Sequence, residues 1–184
     1  VATDSAEIVE VVNNFNFLKV NIYIRDKENA KDTSATEDVM LEFLSKNSFD
    51  KKDIFLLVQA TSPITQQEDF DNALEMMKNG EYDSLLTVVK EKRFFWNIDG
   101  TPINYDYKDR PRRQDFDGFL LENGAFYINT VENIKKDKNR LNGKIALYEM
   151  NDYTSIEIDE QLDWIIAEKY MEEYILSQKE TSKK

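Results

Sequence analysis

Three observations in the sequence predict an α/β protein. Helical and strand patterns alternate along most of its 184 residues. One strand candidate, "IFLLVQ" at 54–59, is apolar on both faces instead of alternating, which predicts a central strand covered on both sides by helices. The rhythm breaks once, over 91–121, where "RFFWNIDGTPINYDY" sets an Asp99-Gly100 turn between aromatic flanks and predicts a hairpin or protruding arm. A chain of this length buries roughly 70% of the surface it exposes when unfolded. Its 41% hydrophobic and 33% charged residues suit one globular domain.

The opening "VATDSAEIVEVV" reads as the end of a strand followed by a helix, with Asp4 or Ser5 as cap and Glu7 in the first turn. That strand is expected to begin before the chain does. Further strands are expected at 20–24, 54–59 and 84–89, and helices near 5–14, 36–46, 68–78 and 160–176. The last helix carries Leu162, Ile166 and Tyr170 at i, i+4 spacing. A buried strand is expected after the arm, through Glu122, Asn123 and Gly124. The polar end "SQKETSKK", 177–184, is expected to fray. No internal repeat or linker marks a second domain, so 1–184 reads as one.

Composition narrows the chemistry. The chain has no cysteine and no histidine, so disulfides, thiolate catalysis, cysteine-bound zinc and histidine triads are excluded. Carboxylates, Lys, Tyr, hydroxyls and a bound metal remain as the available chemistry. A formal net charge of −12 argues against nucleic acid and anionic membrane as partners. No apolar run approaches the roughly 20 residues that span a bilayer, and the first residues do not read as a signal peptide, which together point to the cytoplasm.

Three stretches can carry chemistry, each with a plainer reading beside it. Gln59-Ala60-Thr61-Ser62-Pro63 follows the most apolar strand, where open α/β sheets bind ligands; it also suits a helix cap with Pro63 in the first turn. Glu157 and Asp159 lie two residues apart, so an extended backbone points both carboxylates one way, a fit for magnesium. Alternatively, Asp159 caps the final helix and Glu157 is a solvated strand residue. In "DRPRRQDFDG", Arg112, Arg113 and Gln114 can present guanidinium forks and an amide to an anion, with Asn123 nearby in sequence. The same cluster reads as a nuclear address or nucleic-acid patch, or as charge balance for Asp106, Asp109, Asp115 and Asp117.

Taken in order, "TDSAEI", "KDTSATEDVMLEFL", "QATSP", "YDSLLTVV", "RPRRQDFDG", "ENGAFYI", "YEM" and "IDEQLDWIIAE" resemble the N-acylneuraminate cytidylyltransferases, closest to the branch that includes the animal enzymes. The resemblance covers nearly the whole chain. It implies an open, mostly parallel Rossmann-like sheet of the nucleotide-diphospho-sugar transferase type. It also implies transfer from CTP to a sialic acid with Mg2+, and a homodimer joined by the arm at 90–112 and its aromatics Phe94, Phe95 and Trp96.

By the same resemblance, Arg25, Ser34 and Thr36 lie near the nucleotide, and Gln59 and Thr61 face the sugar. Arg113, Gln114, Asn123 and Tyr127 hold the sugar's carboxylate and neighbouring groups, and Glu157 and Asp159 bind the metal. Arg113 and Asp159 are the catalytic expectations. Two departures stand out: Glu157 replaces the usual Asp, and the family's opening strand and Gly/Arg/Lys-rich loop do not occur in this sequence. The alternatives are a cytidylyltransferase for a related acidic nine-carbon sugar, or a non-catalytic acidic-sugar-binding and dimerisation module that has lost the nucleotide loop.

Overall fold

A computed structural model describes residues 1–31 and 33–176; the tail expected at 177–184 lies outside them. The chain forms two compact units: Val1–Phe55 with Asn129–Asn142, and Leu56–Ile128 with the chain from Gly143 onward. The α/β class is as predicted.

In the first unit, β1 (Ala2–Thr3) pairs in parallel with β2 (Tyr23–Ile24). Between them runs α1 (Ala6–Asn14), where the Ser5 hydroxyl accepts from the Ile8 N–H at 3.3 Å and settles which residue caps it. The helix α2 (Thr36–Lys46) buries Met40, Glu42 and Leu44. Glu42 is held by four donors: the Tyr23 hydroxyl at 2.6 Å, the Asp26 N–H at 3.0 Å, Asn29 Nδ2 at 2.7 Å and Lys46 Nζ at 3.0 Å. These bonds, led by that from Tyr23, lower its carboxyl from the usual 4.5 to about 2 despite the opposing effect of burial. The short helix α4 (Val131–Asp137), capped by Thr130, leads to Arg140, which grips Glu37 of α2 through two bonds of 2.6 and 2.9 Å. Sequence patterning missed α4 because seven residues make barely two turns of periodicity.

The second unit is built on a sheet of four strands in the order β3-β5-β4-β6: β3 (Ile54–Val58), β5 (Phe119–Thr130), β4 (Ser84–Glu91) and β6 (Ile145–Met150). β4 and β6 run parallel, in register from Ser84 opposite Ile145 to Val89 opposite Met150. Ser84 to Val89 are all buried, which makes β4 the most enclosed strand. The expectation of a central strand at 54–59 is corrected: β3 lies at an edge of this sheet, with Ile54 and Val58 about half exposed. Apolarity on both faces reports on what covers a strand, not on whether it has hydrogen-bonding neighbours on both sides.

The helix α3 (Gln67–Asn79), whose first turn is closed by the Asp69 carboxylate accepting from the Gln66 N–H, buries Ala73. Phe70 packs against Phe126 with centroids 4.8 Å apart and rings tilted by 43°, and Leu85, Val89, Ile128, Ala146 and Met150 complete the core. The final helix α5 (Gln161–Tyr170) widens into a π-helical stretch, Met171–Leu176. The helix is as predicted, but its covered face is not the Leu162, Ile166, Tyr170 stripe. Ala167 is the buried residue, whereas Leu162 and Ile166 are exposed. Regular spacing marks a helix but does not say which face is covered.

The arm is a hairpin as predicted: Trp96 bridges Pro102 in antiparallel fashion, and Gly100 takes a φ of 85°. Its aromatics divide. Phe94 packs locally against Tyr105 at 4.3 Å and Phe116 at 5.0 Å, under the Arg110 guanidinium. Phe95 and Trp96 stay exposed, and Ile98 at the tip is fully so. Among the described residues no helix is long and apolar enough to cross a membrane.

Candidate active site

Parallel strands open their carboxyl ends to ligands, because the crevice there is bounded by loops that can vary without disturbing the sheet. β4 and β6 end at Glu91 and Met150, and a cleft of about 760 Å³ lies there. It is lined by the ends of both strands and by the chain beyond them, including Lys92, Arg113, Glu149, Asp152 and Tyr153. Arg113 is held by its Nε, which donates to the Lys92 carbonyl at 3.2 Å. Its terminal nitrogens have no partner among the described residues, which leaves a two-pronged donor for an anion.

The three neighbouring arginines thus have separate fates. Arg110 lies 4.5 Å over the Phe94 ring, Arg112 pairs with Asp115 at 2.6 Å, and Arg113 alone lines the cleft. Charge balance accounts for Arg112. Gln114 shares the turn of Arg113 and is exposed, but it is not among the cleft-lining residues.

A second group gathers at the end of β3. Thr61 Oγ1 donates to Glu157 Oε1 at 3.3 Å, and the Ile158 N–H donates to the Thr61 carbonyl at 2.8 Å, tying "TSP" to "EID". Gly124 lies against them with φ at 64°, and a Cβ there would stand 3.3 Å from Glu157 Oε1 and 3.9 Å from Gln59 Nε2. The structure therefore brings Gln59, Thr61 and Glu157 together around a bare glycine. Asp159 is exposed, and its carboxylate has no partner among the described residues. It does not cap α5. The Asp163 carboxylate does so, accepting from the N–H groups of Asp159 and Glu160 at 3.2 and 2.9 Å. Among the described residues no three potential metal ligands cluster.

Asn123 and Tyr127 are almost fully buried and engaged within the protein. Asn123 Nδ2 donates to Thr154 Oγ1 at 3.0 Å, while its Oδ1 is buried without a partner; the Tyr127 hydroxyl donates to Glu122 at 2.5 Å. In the first unit, Arg25 is paired with Asp4, whose carboxyl is lowered mainly by that hydrogen bond, and the Arg25 Nε is buried without a partner. Ser34 Oγ accepts from the Lys31 N–H at 3.2 Å and donates to the Glu28 carbonyl at 3.1 Å, and Thr36 opens α2. Sequence reasoning read "YEM" at 148–150 but gave it no role, and it missed the wall that continues through Asp152, Tyr153 and Ser155, since a short turn carries no motif to read.

The family model for cytidylyltransferases matches residues 1–180. The chain belongs to the cytidylyltransferase family. This cytidylyltransferase-family chain is 35% identical over 176 residues to an N-acylneuraminate cytidylyltransferase of Oncorhynchus mykiss, with 92% of the chain and 39% of the relative covered. It is 32% identical over the same length to N-acylneuraminate cytidylyltransferase A of Danio rerio, covering 92% and 40%. The chain thus spans about two fifths of the length of these curated relatives. Among solved structures, the 4-diphosphocytidyl-2C-methyl-D-erythritol synthase of Anaerococcus prevotii matches with a TM-score of 0.60 at 14% identity, covering 91% of this chain and 78% of that one. That likeness bears out the Rossmann-like nucleotidyltransferase fold, and the fish relatives bear out the resemblance to the animal branch.

Proposed function

We propose that the protein transfers a cytidylyl group from CTP to an N-acylneuraminate, giving the CMP-sugar and pyrophosphate. The anomeric hydroxyl attacks the α-phosphorus; a new P–O bond forms as the bond to pyrophosphate breaks, and the hydroxyl proton passes to solvent. Such a reaction is accelerated mainly by positioning and electrostatic stabilisation. The observation that carries the reading is Arg113. A family of cytidylyl transfer enzymes, with relatives named for an acidic sugar, here has an uncommitted guanidinium fork in a cleft at the ends of two parallel strands.

Arg113 takes the sugar carboxylate in this reading. Gln59 and Thr61 face the sugar, and Gln114, Asn123 and Tyr127 fix its surroundings, the last two from within the fold. Arg25, Ser34 and Thr36 serve the nucleotide, the buried and unpartnered Nε of Arg25 being a donor that a phosphate oxygen would satisfy.

Glu157 and Asp159 suit a magnesium ion, because that ion takes one or two carboxylates with substrate phosphates and the Asp159 carboxylate is uncommitted. Bound there, magnesium supplies neutralisation of the charge that develops on the departing pyrophosphate. The exposed Phe95, Trp96 and Ile98 of the arm fit a homodimer contact. A cytoplasmic setting belongs to the same reading, since CTP is available there.

The test is pyrophosphate release with CTP, magnesium and N-acetylneuraminate, each omitted in turn. Release should need all three, and the neutral sugar N-acetylmannosamine should not replace the acid. Sugar binding without any release would turn the reading into the non-catalytic module. Release with another acidic nine-carbon sugar alone would change the substrate.

A further inference from the structure

Tyr153 has no place in the motifs above, yet it lines the same cleft as Arg113. It lies in the turn after β6, Asp152–Ser155, and that turn is tightly held. Thr154 Oγ1 donates to the Asn151 carbonyl at 2.7 Å while accepting from the buried Asn123 Nδ2, and Ser155 Oγ donates to the Asp152 carbonyl at 2.7 Å. The Tyr153 ring is fixed as well. It stacks on Tyr170 with centroids 4.7 Å apart and planes 26° off parallel, and Tyr170 stacks in turn on Tyr174 at 4.7 Å and 24°. Its hydroxyl accepts from Asn151 Nδ2 at 2.9 Å, which aligns the oxygen but leaves its own proton without an acceptor among the described residues.

We propose that Tyr153 is a ligand-orienting residue of the cleft, held by the Tyr170 and Tyr174 stack, which meets the polyhydroxylated body of an acidic sugar whose carboxylate is on Arg113. This rests on the acidic-sugar reading. A carboxylate contact alone leaves the sugar free to swivel; a second, rigid contact in the cleft removes that freedom. A tyrosine suits that role, since it offers an apolar ring for C–H faces and a hydroxyl for sugar oxygens at low entropic cost. Glu149 and Asp152, which line the same cleft, add acceptors for sugar hydroxyls.

The experiment titrates the protein with N-acetylneuraminate and reads both the Kd and the transfer of magnetisation from tyrosine ring protons to the sugar. Tyr153→Phe keeps the stack and loses only the hydroxyl. It should keep the thermal midpoint and raise Kd about threefold to tenfold, the effect of one neutral hydrogen bond. Tyr153→Leu should raise it about tenfold or more and abolish ring-to-sugar transfer, and Tyr170→Leu should weaken binding with that transfer reduced. Arg113→Ala is the control for the reading itself. If it abolishes binding while both folded Tyr153 variants bind as the unaltered protein does, the role of Tyr153 is refuted and the acidic-sugar reading stands. If the unaltered protein does not bind the sugar, the reading fails and this inference with it. Should Tyr153→Leu not fold, Tyr153→Phe decides.

Discussion

Gly124→Ala should destabilise the second unit by more than its backbone strain alone, because the added methyl crowds the Glu157 carboxylate. Gly124 holds φ at 64°, and forcing a residue with a Cβ into the left-handed region costs about 1–2 kcal/mol. The new Cβ would also stand 3.3 Å from Glu157 Oε1, tighter than an ordinary van der Waals contact, so that oxygen must give by a few tenths of an ångström and stretch the bond that Thr61 donates to it. Weakening of that hydrogen bond adds about 0.5–1.5 kcal/mol, at the lower end because Glu157 is partly exposed. Gly100→Ala is an internal standard. Its φ is 85° and a Cβ there would meet nothing within 4 Å, so it should show the strain without the crowding. Urea unfolding followed by tryptophan fluorescence suits the comparison, since both tryptophans, Trp96 and Trp164, lie in the second unit with Gly124. The decisive measurement is a double-mutant cycle with Glu157→Ala, in which Gly124→Ala should cost about 0.5–1.5 kcal/mol less than in the unaltered protein. Additive losses would refute the crowding and, with it, the placing of Glu157 against Gly124.

Other expectations follow from the same geometry. Glu42, lowered from 4.5 to about 2 chiefly by the Tyr23 hydroxyl, stabilises the folded first unit fully above the unfolded value, and that contribution is lost as pH falls from 4.5 through about 2. Circular dichroism melts taken at falling pH should show the loss in the unaltered protein and a flatter acid limb in Glu42→Gln; parallel limbs would remove Glu42 from the account. Arg140→Ala breaks the two bonds to Glu37 and should cost about 1–3 kcal/mol, seen as faster amide exchange in α2. Unchanged protection would mean that the pair adds nothing. Arg113→Ala should weaken N-acetylneuraminate about 10–100-fold with CTP affinity unchanged, while Arg112→Ala, which removes only an exposed ion pair, should leave both within about twofold. Asp159→Asn should lower turnover steeply at saturating magnesium with α5 intact, since Asp163 does the capping; full activity would take the cation away from this residue.

Much of the fold was legible because its signals are local. Ser5 followed by a helical stretch, Asp99-Gly100 between aromatics, and six apolar or small residues in a row at Ser84 to Val89 each act within a few residues of themselves. What was illegible depends on partners distant in sequence. The edge position of β3 follows from where β5, some sixty residues later, chooses to pair. The capping of α5 by Asp163 instead of Asp159 turns on which of two carboxylates reaches back, and spacing alone allows either. The tyrosine stack joins Tyr153 to Tyr170 across the start of a helix, with nothing in the intervening residues to announce it.

The arginine cluster shows how the same limit bears on function. Four positions, Arg110 to Arg113, hold three identical cations, and composition treats them as one basic patch. Their side-chain partners separate them: Arg110 lies over the Phe94 ring of the arm, Arg112 closes its own turn on Asp115, and Arg113 is anchored by Nε to the Lys92 carbonyl just after β4. Anchoring through Nε matters physically. It fixes the guanidinium plane while leaving the terminal nitrogens free, so the donor pair faces the cleft already oriented and little further rotamer freedom is lost when a carboxylate arrives. A continuous patch for nucleic acid would need the three cations to face one way, and here one is held on an aromatic ring and one by an acid. Of this cluster, what remains for a ligand is a single directed fork beside the Lys92 ammonium, which suits a small anion better than a phosphate backbone.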